Sequence, residues 1–430
     1  MTTLAINGGE KIRTKPFTTG GAIIGDEERR RVKDVLDSGI LSGFIAKAGP
    51  QFLGGKQVRE FEDLVKQYFG VPHAVTVNSA TAGLHAALGA CGVSPGDEVI
   101  VSPYTMCASA TAIVMTNGVP VFADIDEGSF CLDPQSIRRC VTPRTKGIVV
   151  VHLFGGAADM DAIMAIAKEH KLFVVEDCAQ SPGAKYKGRY VGTFGDAGVF
   201  SLNQNKIITC GEGGFVLTSD DTIALRMQLI RNHGEVVAEA MNVDDISNIV
   251  GFNYRMTELE AAVAIGQFKN LNLWNAARRE LAGYLTEQLS VFDCLQCPDI
   301  PSHIEHSYFT YPLTLNPGSG ISRDALIKAM NAEGIPLSGG YVRPIYWEAM
   351  YQKKIAYGSK GFPFVPPVYH GAVNYGKGLC PVCERMHEQE LMMTPVCRYP
   401  NTKEDMDDVV RAFDKVLSQK HSLKGDSALF

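Results

Sequence analysis

The chain has 430 residues, which is more than one hydrophobic core usually serves, so we expect two domains. Apolar residues make up 45% and charged residues 20% of the sequence, as is typical of globular proteins. The formal net charge of −6 argues against a nucleic-acid partner. No apolar run approaches the ~20 residues that span a bilayer, and the opening MTTLAINGGEKIRTK lacks the apolar core of a signal peptide. We therefore expect a cytoplasmic protein without membrane contact.

Eleven cysteines raise the question of a metal site. Two CxxC pairs, Cys294/Cys297 and Cys380/Cys383, have the spacing of zinc ligands, but about eighty residues separate them and neither pair has compact neighbouring ligands. Most of the other cysteines have apolar neighbours, which favours small buried thiols. We therefore expect reduced packing cysteines and no metal ion.

The first half of the chain alternates strand and helix patterns. DEERRRVKDVL and VREFEDLVKQYFG have helical spacing, HAVTVNS is typical of a buried strand, and TAGLHAALGACG forms a small-residue helix. The strand patterns EVIVSP, VPVFADI, GIVVVHLFG and LFVVEDC then alternate with helices. Near-continuous Val/Ile runs of this kind predict an α/β fold with a mostly parallel sheet covered by helices.

Helical patterns dominate after residue 216. LEAAVAIGQFKNLNLWNAARRELAGYLTEQL is one long candidate helix, followed by a strand in HSYFTYPLTL and helices in SRDALIKAMNAEG and KEDMDDVVRAFDKVL. This change in pattern predicts a domain change near residue 270. We expect an N-terminal arm (1–20), a large domain (21–270) and a smaller α+β C-terminal domain (271–430).

Candidate functional residues follow three strand patterns, where a parallel sheet places its ligands. NSATAG after the first strand offers helix N–H groups with the Ser79 and Thr81 hydroxyls, which suits a phosphate. Glu176 and Asp177 end a later strand and point to opposite faces, so one of them faces the cleft. Lys206 lies in the turn FSLNQNKIITCGEGGF, five residues after Ser201.

Each of these signals also has an ordinary structural explanation. A Ser N-cap is common, a carboxylate at a strand end can cap a helix or bind Mg²⁺, and a lysine in a hairpin turn is usually there for solubility. The combination is more specific than its parts. Pyridoxal 5′-phosphate (PLP) needs donors for its phosphate, a carboxylate for its pyridine nitrogen and an amine for its aldehyde.

The sequence resembles the DegT/DnrJ/StrS family of sugar aminotransferases from about residue 20 to residue 415. The motifs that carry the resemblance are NSATAGLHAAL, GDEVIVSPYT, PVFADID, VVEDCAQSPGA, FSLNQNKIITCGEGG and GFNYRMTELEAA. The resemblance implies the fold of PLP-dependent transferases of fold type I, with a seven-stranded sheet in the large domain. It also implies a PLP-dependent aminotransferase.

The resemblance implies a role for each matching residue. Lys206 is expected to hold PLP as a Schiff base and to move a proton between the substrate and the cofactor. Asp177 is expected to pair with the pyridine nitrogen, and Gln180 with the ring hydroxyl. The phosphate is expected to contact Ser79, Ala80, Thr81 and Ser201, together with Asn253 from the neighbouring subunit of a homodimer. Tyr254 and Arg255 are expected to shape the same shared wall.

Two positions depart from the family pattern. Ala80 replaces a glycine that usually begins the helix motif, which is tolerable if the backbone there is ordinary. Met106 occupies the position at which the family commonly places an aromatic residue over the cofactor ring. A thioether can lie on a ring face, but Tyr104 or another aromatic residue could take that role, so the stacking residue stays open.

For the substrates, the resemblance implies glutamate or glutamine as amino donor and a keto-sugar, more often nucleotide-linked, as acceptor. A free keto-cyclitol is the alternative acceptor, suggested by INGGEKIR and CPVCERMHEQELM. Lys56 lies on a loop that the family uses near the substrate. The candidate substrate residues in the C-terminal half are His306, Tyr308, Tyr341, Arg343 and Tyr346, although ordinary aromatic packing explains them equally well.

Two other functions are compatible with the same fold. In a dehydratase branch of the family a histidine replaces the lysine, and a regulator would retain the fold without catalysis. Lys206, Asp177 and Gln180 are all present here, which argues against both alternatives.

Overall fold

The computed structural model describes residues 3–426; the ends of the predicted arm and small domain, 1–2 and 427–430, lie outside these residues. The α-helices are α1 (Asp26–Ser38), α2 (Lys56–Phe69), α3 (Ala80–Ala90), α4 (Ala108–Met115), α5 (Pro134–Cys140), α6 (Met160–His170), α7 (Asp221–Arg231), α8 (Glu258–Lys269), α9 (Leu271–Leu289), α10 (Arg323–Ala332), α11 (Ala349–Gln352), α12 (Pro381–Arg385) and α13 (Lys403–Leu417). The strands are β1 (His73–Val77), β2 (Glu98–Val101), β3 (Val119–Phe122), β4 (Thr145–Val151), β5 (Phe173–Asp177), β6 (Lys185–Tyr186), β7 (Arg189–Tyr190), β8 (Ala197–Ser201), β9 (Gly214–Thr218), β10 (Leu295–Gln296), β11 (Ile304–Glu305), β12 (Tyr311–Leu315), β13 (Ser338–Gly339) and β14 (Leu391–Thr394). None of the described helices is long and apolar enough to cross a membrane.

The large sheet has seven strands in the order β1-β9-β8-β5-β4-β2-β3. Strand β9 is antiparallel to both of its neighbours, and the other neighbouring pairs are parallel. The prediction of a mostly parallel seven-stranded α/β sheet is confirmed. Strands β4 and β5 are buried along most of their length, as their Val/Ile runs require.

The topology brings the candidate residues to one edge of this sheet. Because β1 and β8 are both antiparallel to β9, they run in the same direction as each other and as β5. Their carboxyl ends therefore meet at a common edge. Asp177 ends β5, Ser201 ends β8, and Ser79 lies just after β1 at the start of α3.

The long helix predicted between residues 259 and 289 is two helices, so that prediction is wrong. Asn270 separates α8 from α9 and caps both of them. Its side-chain Nδ2 donates a hydrogen bond of 3.1 Å to the carbonyl of Gly266, which completes the last turn of α8. Asparagine competes with backbone groups for such bonds, which is why it favours helix ends.

A second hydrophobic core lies among α9, α10, α13, β12 and β14. It also includes Leu4 and Phe17 of the predicted arm. Conversely, the core of the large sheet includes three residues of the predicted small domain: Ile345, Tyr346 and Met386. These contacts cross both predicted boundaries, so the division at residues 20 and 270 stays a prediction.

Candidate active site

The two adjacent carboxylates at the end of β5 have different environments. Glu176 is fully buried and accepts hydrogen bonds of 2.7 Å from the backbone amides of Gly192, Phe194 and Gly195. It also contacts His152 Nε2 at 2.9 Å. The charge of Glu176 therefore holds the loop before β8 in place, as expected for a side chain on the face opposite the cleft.

The same buried region contains a possible metal-ligand group. Among residues 3–426, His152, Glu176 and Cys178 form the one set of three such side chains with their ligand atoms within 4.8 Å of one another. The amide of Ala158 donates to His152 Nδ1, so Nε2 carries the ring hydrogen and donates to Glu176. The ring nitrogens and the carboxylate thus have protein partners.

Asp177 is near enough to Lys206 for its charge to act on the lysine amine. Its Oδ2 accepts a hydrogen bond of 2.7 Å from Ser109 Oγ, and its Oδ1 accepts one of 3.1 Å from the amide of Ala179. Two donors therefore fix the orientation of this carboxylate. Burial lowers the pKa of the Lys206 amine, while the nearby charge of Asp177 acts in the opposite direction.

The turn after β8 holds the amine of Lys206 in a half-buried position. The backbone amide of Lys206 donates to the carbonyl of Asn203 at 2.9 Å, and its Nζ lies 4.9 Å from the centre of the Phe309 ring. An amine with a lowered pKa is neutral in a larger fraction of molecules at neutral pH, and the neutral form is the nucleophile. Lys206 is therefore chemically suited to attack a carbonyl carbon.

A chain of hydrogen bonds fixes Gln180 next to this pair. Its Oε1 accepts a bond of 2.9 Å from the amide of Phe154, and its Nε2 donates one of 2.8 Å to the Tyr341 hydroxyl. The amide of Tyr341 in turn donates to the Tyr104 hydroxyl at 2.8 Å. Burial raises the pKa of Tyr341 to about 12, so this phenol stays neutral and keeps its proton.

The start of α3 offers hydrogen-bond donors that the helix does not use. Ser79 caps the helix by accepting a bond of 3.1 Å from the amide of Ala82, while the amides of Ala80 and Thr81 precede the first intrahelical bond. A Cβ on Gly214 would lie 2.9 Å from the nitrogen of Ala80, so only glycine lets β9 pass this close. These amides, with the Ser79 and Ser201 hydroxyls, form a donor-rich cradle at the sheet edge.

The structure addresses both departures from the family pattern. Ala80 is the first residue of α3 and has an ordinary helical backbone, so its methyl group causes no strain. Tyr104 is fully buried with its hydroxyl bonded to Tyr341, so it is not free to cover a ring. Met106 is 55% exposed, which leaves its thioether accessible to a ligand.

The segment GFNYRM lies beside the cradle through its backbone. The amide of Asn78 donates to the carbonyl of Tyr254 at 2.8 Å, and Asn78 Nδ2 donates to the carbonyl of Asn253. The side chain of Asn253 is exposed, and its Oδ1 accepts from Arg255 Nε at 2.7 Å. The Tyr254 hydroxyl is bonded to His85 within the chain.

Of the predicted substrate residues, Tyr341 contacts Gln180, whereas the others lie elsewhere. Tyr308 belongs to the second core, and its amide donates to His306 Nδ1 at 2.9 Å. Tyr346 is fully buried and bonded to Glu384. Arg343 is exposed, with its guanidinium 6.0 Å from the Trp347 ring. The packing of Tyr308 and Tyr346 does not support a substrate role for either.

His306 and Lys56 have separate surroundings. His306 is 6% exposed and lines a cavity of about 170 Å³ together with Phe154, whose ring lies 5.4 Å from that of Tyr341. Phe154 therefore lies between this cavity and the Gln180 side of the site.

Lys56 is the exposed first residue of α2 rather than a loop residue.

Sequence reasoning missed Ser109 and Phe309. Ser109 lies in α4, where a serine among small residues has no pattern that links it to a carboxylate 68 residues later. Phe309 follows His306 and Tyr308 in one aromatic stretch, and that stretch was the available signal for it. Its contact with Lys206 depends on how the second core sits on the large sheet.

Comparison with known proteins identifies the family of this chain. Residues 23–376 match the DegT/DnrJ/EryC1/StrS aminotransferase family. L-glutamine:2-deoxy-scyllo-inosose aminotransferase of Streptoalloteichus tenebrarius is 34% identical, over 98% of this chain and 99% of that protein. GDP-perosamine synthase of Caulobacter vibrioides is 40% identical, over 65% of this chain and 75% of that protein. The structure of an aminotransferase from Psychrobacter cryohalolentis has a TM-score of 0.80 at 30% identity, over 94% of this chain and 100% of that one.

The family match covers most of the chain, and the structural neighbours, which share its fold, are PLP-dependent aminotransferases. The motifs quoted from the sequence fall within the matched residues. The chain belongs to the DegT/DnrJ/EryC1/StrS aminotransferase family.

Proposed function

We propose that this aminotransferase moves an amino group from glutamine or glutamate to the keto carbon of a sugar-like ring, with PLP held by Lys206. The observation that carries this proposal is the half-buried Lys206 amine, which contacts Phe309 and feels the charge of Asp177, at the same sheet edge as the donor-rich cradle of α3. The arrangement occurs in a chain that matches the aminotransferase family over residues 23–376.

The residues present fit PLP at each of its polar ends. The cradle of α3 and Ser201 provides N–H and O–H donors, as a phosphate requires. Asp177 provides a fixed negative charge for a protonated pyridine nitrogen. Gln180 provides an amide for the ring hydroxyl, and the exposed thioether of Met106 is available for a ring face.

When bound, PLP supplies an electron sink for charge that develops at the substrate carbon. The protein must then keep the pyridine nitrogen protonated, and the oriented carboxylate of Asp177 is suited to this task. Ser109 holds Asp177 in position through its 2.7 Å hydrogen bond. The amine of Lys206 can take a proton from the substrate carbon and return it to a neighbouring atom, because its lowered pKa makes the free base available.

For the acceptor, we favour the keto group of a nucleotide-linked sugar, as the resemblance implied. The 40% identity with GDP-perosamine synthase supports this choice. A free keto-cyclitol is the second candidate, and a specific observation favours it. The glutamine-dependent inosose aminotransferase matches over 98% of this chain, whereas the match to GDP-perosamine synthase covers 65%.

We also propose that the active form is a homodimer with Asn253 near the partner's phosphate site. The loop 40–54 packs against the segment 232–253, since Asn232 Nδ2 donates to the carbonyls of Ile45 and Phe52. Asn232 also pairs with Asn253 in an isolated β-bridge. Both segments expose large apolar side chains, which single folded chains rarely cluster on their surface. These side chains are Ile40, Leu41, Ile45, Val236, Ile246 and Val250.

A transfer assay with labelled donors tests the proposal. Glutamine and glutamate labelled with ¹⁵N at the α-amino group are incubated with the PLP-loaded protein and, separately, a nucleotide-linked keto-sugar or a keto-cyclitol. The expected product carries ¹⁵N on the ring in one of the two series and is absent with Lys206→Ala. Loss of a ring hydroxyl without nitrogen transfer would instead indicate a dehydratase, and no change to any acceptor would contradict the proposed function.

A further inference from the structure

Two arginines with buried side chains lie together where the second core meets the large sheet. Arg278, on α9, is 3% exposed, and Arg398, after β14, is 8% exposed. Arg278 donates to the carbonyl of Tyr308 at 2.7 Å, while Arg398 donates to the carbonyls of Thr19 and Gly21 at 2.9 and 3.3 Å. Both guanidinium groups are therefore bonded to neutral acceptors only.

Each of these cations raises the cost of burying the other. Burial lowers the pKa of Arg278 to about 9, and the charge of Arg398 acts in the same direction. Burial also lowers the pKa of Arg398. Buried charges are ordinarily compensated by an opposite charge, because removing an uncompensated charge from water is unfavourable. Neither arginine belongs to any ion pair in residues 3–426.

Other buried arginines in the same chain do have carboxylate partners. Arg13 pairs with Asp405 and Asp408. Arg231, which is fully buried, pairs with Glu62 at 2.8 Å. Arg31 and Arg226 are paired as well, so among the buried arginines of residues 3–426 the missing negative charge is particular to Arg278 and Arg398.

A small cavity lies between the two arginines. Its volume is about 10 Å³, and its lining residues include Arg278 and Arg398 together with Ile207, Gln267, Trp274 and Tyr399. Arg398 Nε is buried and has no hydrogen-bond partner among the described residues. A cavity of this size has room for a single small particle.

We propose that this cavity binds one small monovalent anion, chloride in ordinary solution, between Arg278 and Arg398. A monatomic anion fits the volume, accepts from the free Arg398 Nε–H and supplies the negative charge that the pair lacks. A neutral water would satisfy the hydrogen bond but not the charge. Gln267 Oε1, an acceptor without a partner in the described residues, is the group that would favour such a water.

The location gives the anion a structural role close to the catalytic lysine. Ile207 lines the cavity and follows Lys206 directly in the chain. Arg278 also holds the carbonyls of Tyr308 and Phe309, and Phe309 contacts the Lys206 amine. An anion that stabilises Arg278 in this position would therefore stabilise the packing around Lys206.

A bromide derivative tests the site directly. Crystals of the wild-type protein are soaked in sodium bromide, and diffraction data are collected at the bromine absorption edge. We expect an anomalous difference peak between Arg278 and Arg398. Density for an ordered water only, without an anomalous peak, would overturn the proposal.

Thermal unfolding in solution provides the second test. At equal ionic strength, chloride in place of gluconate should raise the melting temperature of the wild-type protein by about 2 °C. Arg398→Met should lose this dependence on chloride. Arg226→Met is the matched control, because Arg226 is also 8% exposed but pairs with Asp245, and it should retain the dependence.

Two results in solution would contradict the site. A chloride dependence that persists in Arg398→Met would place the effect elsewhere on the protein. A bromide peak without any chloride dependence of the wild-type protein would indicate an adventitious ion only. If Arg398→Met does not fold, Arg398→Lys replaces it, because lysine keeps the positive charge but lacks the Nε–H donor. This variant should show a weaker dependence of the melting temperature on chloride than wild type. An unchanged dependence would again overturn the proposal.

Discussion

Ser109 donates a hydrogen bond of 2.7 Å to Asp177, and this bond joins α4 to the end of β5. The second oxygen of the same carboxylate accepts from the amide of Ala179. Asp177 is therefore oriented before any ligand arrives. A carboxylate that must stabilise a developing charge gains from such preorganisation, because no reorientation is needed during the reaction.

Ser109→Ala should lower the turnover number while the protein still folds and binds PLP. A lost hydrogen bond to a charged group is worth about 1.5 kcal/mol, which corresponds to about a tenfold decrease in kcat. Steady-state kinetics and the absorption spectrum of bound PLP measure both effects. Ser136→Ala is the matched control, since Ser136 is also buried but bonds to the amide of Asp124, and its kcat should stay near that of wild type. An unchanged kcat in Ser109→Ala would show that Asp177 does not need this support.

Exchanging each of the adjacent carboxylates for its amide should separate catalysis from stability. Asp177→Asn should retain the fold and lose at least about a hundredfold in turnover, because an amide cannot hold the pyridinium charge. Glu176→Gln should instead lower the free energy of unfolding by about 3 kcal/mol, since three backbone amides and His152 lose an anionic acceptor.

Activity assays and denaturant unfolding distinguish the two variants of β5. Near wild-type turnover in Asp177→Asn would mean that another group holds the ring nitrogen. Wild-type stability in Glu176→Gln would mean that the loop before β8 is fixed by packing alone.

The free energy of unfolding should decrease as the pH is lowered, because of His306. Burial lowers the pKa of His306 to about 3, compared with an ordinary value of about 6.5. As the pH falls below about 6.5, the unfolded chain takes up a proton that the folded chain does not, so stability is lost at about 1.4 kcal/mol per pH unit until about pH 3. Unfolding in urea between neutral and mildly acidic pH measures this slope.

His306→Gln should reduce the slope of the unfolding free energy against pH by about 1.4 kcal/mol per pH unit, the contribution of one proton, whatever its effect on absolute stability. His303→Gln is the matched control, because His303 is exposed and lies three residues away. Equal slopes for wild type and His306→Gln would show that the ring takes up its proton in the folded state.

Mixed dimers test the proposed sharing of active sites. Lys206→Ala and Asn253→Ala chains should each be inactive or weakly active alone. When they are mixed, one of the two sites in a heterodimer carries both intact residues, so part of the activity should return. Native mass spectrometry confirms that heterodimers have formed. If they form without recovery of activity, Asn253 acts in its own subunit's site or not at all.

The sequence was informative where function depends on residues next to a strand end. Asp177, Ser201 and Lys206 were predicted from short motifs, because the parallel sheet brings the ends of its strands to one edge. The fold class followed from the Val/Ile runs for the same reason. These features are local, and local patterns are what a single sequence displays.

Contacts between distant segments could not be predicted in this way. The bonds from Ser109 to Asp177 and from Arg278 to the carbonyl of Tyr308 depend on tertiary packing, as does the contact of Lys206 with Phe309. Serine, arginine and phenylalanine occur in many unrelated positions, so their presence indicates no particular partner. The single residue that separates α8 from α9 was missed because the apolar spacing continues through it.

The single-residue junction at Asn270 has a mechanical consequence. Helix α8 is packed against α1 and α2, so it moves with the large sheet. Helix α9 carries Arg278, which holds the carbonyl of Phe309, whose ring contacts the Lys206 amine. Because Asn270 is the single residue between α8 and α9, no flexible linker separates the two helices. A change in the angle between them would therefore displace the second core. Such a change would also reach Lys206 through Arg278 and Phe309.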